Sequence, residues 1–184
     1  MDNYFTLRLN LDNITKGAKD IEYIANNIDR AINAGMEELA QKMKIRITSL
    51  LIGYGLGDSS LINDIEIIPM GEGMYIGIGH EYAVFVEYGT GITGSLNPPH
   101  PNGAMNGWIH NTRKNGWYYP TVMSNPYFQT HSPYYINGVP YAWTKGMRSR
   151  PFMYQTWLYG SQIATQTIRK HINNLLGERF NRWL

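Results

Sequence analysis

The chain has 184 residues, 43% of them hydrophobic, no cysteine and a formal net charge of +2. That length and apolar content suffice for one sizeable core and favour a single domain over residues 1–184, while the lack of cysteine excludes a disulfide framework and any thiolate metal site. No stretch approaches the roughly 18 consecutive apolar residues of a membrane-spanning helix, and "MDNYFTLRLNLDN" lacks a basic region followed by an apolar one, so the expectation is a soluble protein with no membrane partner, made and kept in a cytoplasm unless something carries it out.

The first element, "YFTLRLNL", places Phe5, Leu7, Leu9 and Leu11 on one face and Thr6, Arg8 and Asn10 on the other, the alternation of a half-buried strand. Asp12 and Asn13 end it and are suited to capping a helix. From about Ile14 to Ile52, apolar residues recur in steps of three and four at Ala18, Ile21, Ala25, Ile28, Ile32, Met36, Leu39, Met43, Ile47 and Leu50. This spacing predicts one long amphipathic helix, with Gly17 near its start, a bend admitted at Gly35, and a stop at the glycines of "GYGLGDSS". "INDIEIIPM", the turn "GEG" and "MYIGIGH" predict two β segments in a tight hairpin. Glu81 to Tyr88 is expected as a short helix ended by Gly89.

Residues 91–146 have neither helical nor strand periodicity, carry most of the prolines, and hold Trp108, Trp117, Tyr118, Tyr119, Tyr127, Phe128, Tyr134, Tyr135, Tyr141 and Trp143. Rings left in water gain nothing, so this long insertion is expected to pack against something or to bind a partner. After "RSRP", the spacing of Met153, Trp157, Gly160, Ala164, Ile168, Ile172 and Leu175 predicts a C-terminal helix with Pro151 at or before its first turn. Phe180 and Trp183 would extend that stripe or dock on a neighbour.

The modest net charge conceals a division. Residues 1–87 carry thirteen of the fourteen acids against seven Lys and Arg, a net −6, whereas Tyr88 to Leu184 carry nine Lys and Arg against Glu178 alone, a net +8. Such asymmetry fits a polyanion partner or head-to-tail packing of subunits, and it equally fits two halves that neutralise each other within one fold. His100, His110 and His131 share the insertion, but no HxH or HxxxH pair and no supporting carboxylate accompanies them, so no metal is expected. His80, Glu81 and Glu87 come with no nucleophile motif, and the glycines of "GYGLG" and "GIG" match no phosphate-binding loop, so neither catalysis nor a cofactor is expected. Arg113, Lys114, Lys145, Arg148 and Arg150 lie among the aromatic residues, which suits a groove for single-stranded nucleic acid or a protein interface. The absence of an RNP or helix-turn-helix motif favours the interface over nucleic acid, with a carbohydrate platform weaker than either.

"YAVFVEYGTG", then a Gly-, Pro- and Trp-rich insertion containing "NGWYYP", then "YAWTKGMRSRPFM" and an amphipathic last helix, together resemble the small neck or tail-completion proteins of long-tailed bacteriophages, a family also described as minor capsid or tail-component proteins. The likeness spans nearly the whole chain and is carried by Tyr82, Glu87, Gly89, Thr90, Gly91, Trp143, Pro151 and Phe152, while "SNPYFQTHSPYYINGVPYAW" departs from it in length and aromatic content. The resemblance implies an α+β protein, with a long N-terminal and a C-terminal helix packed on a small antiparallel sheet. It implies no catalysis, metal or cofactor. It implies a homo-oligomeric, commonly sixfold ring at the head–tail junction of the virion, made in the cytoplasm of a host bacterium. Neighbours would be a connector or stopper and a tail terminator or tail tube, with genomic DNA passing through the lumen. Candidate interface residues, taken from the aromatic and basic content of the chain and not carried over from the family, are Trp108, Trp117, Tyr118, Tyr119, Tyr127, Phe128, Tyr134, Tyr135, Arg148 and Arg150. Glu87 is expected to hold a loop root, paired with Arg148 or Arg150 or with backbone N–H groups of the turn that follows it.

Overall fold

The computed structural model describes residues 11–57, 59–71, 73–96 and 116–180. The fold is α+β. Helix α1 runs Leu11–Gly53, followed by α2 (Ser60–Asn63), strands β1 (Ile65–Met70) and β2 (Gly73–Ile78), helices α3 (Tyr82–Tyr88) and α4 (Gly91–Leu96), strand β3 (Trp117–Pro120), a 3₁₀ turn at Pro126–Gln129, strands β4 (Tyr134–Ile136) and β5 (Val139–Thr144), and helix α5 (Phe152–Phe180). The chain divides into two compact units, one drawn from Met1–Met43, Ile67–Ile76 and Tyr159–Leu184, the other from Lys44–Glu66 and Gly77–Leu158.

Helix α1 begins earlier than its expected cap. Leu11 and Ile14 continue the three-and-four spacing backward from Ala18, so Asp12 and Asn13 lie inside the helix instead of ending a strand. The rest of that expected strand lies outside the described residues, as do Trp108, His100, His110, Arg113, Lys114 and Trp183. The other end of α1 stops as the glycines predict. Gly55 adopts φ +75°, the Gly55 N–H donates to Ile52 O at 2.9 Å, and the Leu56 N–H donates to Leu51 O at 2.9 Å. These paired bonds satisfy carbonyls that a helix end leaves open.

In the first unit α1 and α5 run antiparallel in close contact. A Cβ on Gly35 would lie 2.9 Å from Ile168 Cα, and one on Gly160 would lie 2.7 Å from Met43 Sδ. Gly35 is therefore a point of close backbone approach. Ala40, Thr167 and Leu175 are buried. Glu38 gathers two lysines and a histidine, Lys42 at 2.7 Å, His171 at 2.8 Å and Lys170 at 3.0 Å. The first hydrogen bond, from Lys42, and then those from Lys170 and His171 hold its carboxyl well below the usual range, at about 2. The stripe read from sequence does not stay buried along its length: Ala18 and Ala25 are exposed, and Ile21 is 67% exposed.

The second unit holds most of the buried core: Ile47, Leu51, Leu61, Ile65, Val86, Ala142 and Phe152, each at most 2% exposed. Here the insertion departs from expectation. Strands β3, β5 and β4 form an antiparallel sheet in that order, with Tyr118 opposite Trp143 and Tyr134 opposite Tyr141. Periodicity hid these strands because both faces carry rings, leaving no apolar–polar alternation. The readable signal was local. Asn137 and Gly138, at φ 49° and 78°, form the two-residue turn between β4 and β5 that Asn-Gly favours. The β1–β2 hairpin, α3 with Gly89 at φ +74°, and α5 after Pro151 all form where the sequence placed them.

Candidate interaction site

Two segments of the second unit, 86–91 and 144–154, lock onto each other. The Glu87 side chain, 5% exposed, accepts from the backbone N–H of Met153 at 2.8 Å and of Tyr154 at 3.0 Å. Those donors open α5, where the first turn has N–H groups without intrahelical partners and the helix dipole favours a negative charge. They belong to a helix 66 residues downstream and not to the turn that follows Glu87. The Glu87 carbonyl accepts from Ser149 Oγ at 2.7 Å, and the Val86 carbonyl accepts from the Arg150 N–H at 2.8 Å. Further along, the Thr90 N–H donates to Met147 O at 2.9 Å, while Thr90 Oγ1 accepts from the Met147 N–H at 3.1 Å.

The glycines of the motif make this approach possible. A Cβ on Gly89 would lie 2.6 Å from Ser149 N and 2.8 Å from Met147 O, and one on Gly91 would meet Lys145 O. Gly146 faces the Thr90 carbonyl in the same way. All three have positive φ. Pro151 precedes the first helical residue and Phe152 is fully buried, which fixes where α5 begins. Sequence reasoning singled out Glu87, Gly89, Thr90 and Gly91 but missed Ser149 and Met147, whose only signal was position beside the arginines.

The aromatic sheet presents two different faces. On one, Trp117 and Tyr119 join Tyr82, Phe85, Thr90, Thr144, Gly146 and Met147 around a cleft of about 420 Å³. The Tyr82 hydroxyl donates to Met147 Sδ at 3.5 Å, and burial pushes its phenol above the ordinary value of 10, with Arg150 partly opposing the shift. On the other face, Tyr118, Tyr134, Tyr141 and Trp143 share one side by register. The Tyr118 and Tyr134 rings are 5.5 Å apart, the two residues are 50% and 55% exposed, and Lys145 Nζ sits 5.7 Å from the Trp143 ring centroid.

Around these faces, Asn125 ties the 3₁₀ turn to the sheet by accepting from the Tyr127 N–H at 2.9 Å and donating to Tyr119 Oη at 2.8 Å. Tyr127 stacks on His131 at 4.2 Å and meets Phe128 edge-on. The Tyr135 hydroxyl donates to Met123 Sδ at 3.3 Å. Arg148 is exposed, whereas Arg150 enters the lock through its backbone. Among the described residues no group of three or more His, Cys, Asp or Glu is placed to hold a metal, and no helix is long and apolar enough to cross a membrane. Comparison with protein-family models, with curated proteins and with solved structures gives no match to this chain.

Proposed function

We propose that this chain is a structural subunit of the neck of a long-tailed bacteriophage, assembling with copies of itself into a ring that completes or joins the tail and lets DNA pass. The observation that carries the reading is the lock between 86–91 and 144–154. The two segments on which the resemblance rests meet in space, and Glu87, their one carboxylate, is committed to capping α5. Its role is that of an anchor for a loop root, and the function is mechanical, not catalytic. The locked framework displays aromatic residues outward on the β3–β5–β4 sheet, the composition of a protein contact surface. Its partners would be further copies and the neighbouring neck and tail proteins, with genomic DNA in the lumen.

Light scattering of the purified chain over a range of concentrations, at low and high salt, tests this together with electron microscopy of the same samples. Closed rings of one mass that persist in high salt are expected. A monomer at every concentration would overturn the reading. A second reading, binding of single-stranded nucleic acid, is favoured by one observation: the open sheet face carries rings and Lys145 but no acid. It requires oligonucleotide binding that weakens steeply with salt.

A further inference from the structure

We propose that the open aromatic face of the β3–β5–β4 sheet docks on the outer stripe of α1 in a second copy of this chain. The inference rests on the ring reading above and names the two surfaces that would meet. The sheet face is broad, aromatic and basic. Tyr118 and Tyr134 stand half exposed, Lys145 lies over Trp143, and exposed Arg148 follows in the chain. Neither Lys145 nor Arg148 pairs with a carboxylate among the described residues, and the sequence holds no acid between Glu87 and Glu178.

The stripe on α1 is its complement in both shape and charge. Ala18, Ile21, Glu22, Ala25 and Asp29 follow one another in helical steps along one face, and all five are exposed. Ile21 is the apolar centre at 67% exposure, Ala18 and Ala25 admit rings close to the helix backbone, and Glu22 and Asp29 make no ion pair among the described residues. Lys16, Lys19 and Arg30 fall outside this stripe by their helical positions. Among the described residues, an apolar stripe that the sequence pattern marks for burial is thus left uncovered and edged with acids. Rings and cations on one copy would meet methyl groups and carboxylates on the next. Because the two surfaces differ, the contact is head-to-tail, the kind that forms a ring when its rotation closes. Nucleic acid on the sheet would satisfy the cations but leave the α1 stripe exposed, which is why a second copy is the favoured occupant.

The test uses two charge-reversed variants of the full chain, Lys145→Glu/Arg148→Glu and Glu22→Lys/Asp29→Lys, with circular dichroism to show that each keeps its helix content. Every altered side chain is at the surface, so folding is expected to be intact. Each variant alone should weaken self-association at least about tenfold, because it faces its own copies with like charges. An equimolar mixture should regain the wild-type mass, with the two variants alternating around the ring by native mass spectrometry. If wild type forms rings and either variant still assembles as wild type does, or the mixture fails to recover, these surfaces are wrong while the ring reading stands. If wild type never assembles, both fall. Rings that stay intact in Lys145→Glu/Arg148→Glu while oligonucleotide binding is lost would assign the sheet face to nucleic acid instead.

Discussion

Glu87 caps a helix to which it does not belong. Its carboxylate reaches across from α3 to the first N–H groups of α5, a charge-assisted arrangement at 5% exposure. Glu87→Gln keeps the shape but removes the charge and directs an amide donor at backbone donors, so thermal unfolding should show a loss of about 2 kcal/mol. Ser149→Ala should cost about 1 kcal/mol by leaving the Glu87 carbonyl without one buried donor. That Glu87 needs a partner could be read from its isolation among apolar residues, while its role as an anchor came from the resemblance. Its donors could not be read, because nothing local in sequence links it to residues 66 positions away. Glu38 makes a different prediction. Its folded carboxyl is held near 2, below the 4.5 of an unperturbed glutamate, so its stabilising effect is fully present above 4.5 and is lost as pH falls toward 2. The gap in urea midpoint between wild type and Glu38→Gln should therefore be present at neutral pH, close steadily below about pH 4.5 and vanish near pH 2. Because the group is partly exposed, the gap should also shrink with salt.

Among the elements, the long helices and the β1–β2 hairpin were legible because each has one period and a recognisable stop, whereas α3 is too short to show a period and was marked by the glycine that ends it. The second sheet was hidden by its aromatic load, although Asn137–Gly138 marked its hairpin. Gly138→Ala, at φ +78°, should cost about 1–2 kcal/mol and speed amide exchange within β4 and β5, leaving α5 unchanged. The two glycines where α1 and α5 approach respond to substitution in opposite ways. Alanine in a helix interior gains about 1 kcal/mol over glycine. At Gly160 the added methyl meets the flexible end of Met43, which can move aside, so Gly160→Ala should be neutral or stabilising. At Gly35 it meets the Ile168 backbone at 2.9 Å, so Gly35→Ala should lower the melting temperature through overpacking. Gly35 thus serves close approach, where the sequence suggested a bend.

For the whole molecule, the sequence showed an acidic and a basic half but not which surfaces carry those charges outward. The exposed stretch of α1 explains the difficulty. Apolar residues at Ala18, Ile21 and Ala25 read as core by their spacing, and the described residues of a single copy leave them exposed. On the proposed contact, with aromatic anchors supplying affinity and charges supplying orientation, raising the salt should slow ring assembly by time-resolved light scattering while assembled rings persist. The lock around Glu87 also bears on synthesis. A chain made from its N-terminus presents Glu87 long before Met153 and Tyr154 emerge, so the 86–91 segment is completed only by the arrival of the last helix. A prematurely terminated product lacks two of the donors for a nearly buried carboxylate, and should remain open to proteolysis. Through the same cap that fixes the start of α5, a settled 86–91 segment becomes the mark of a chain whose last helix has been made.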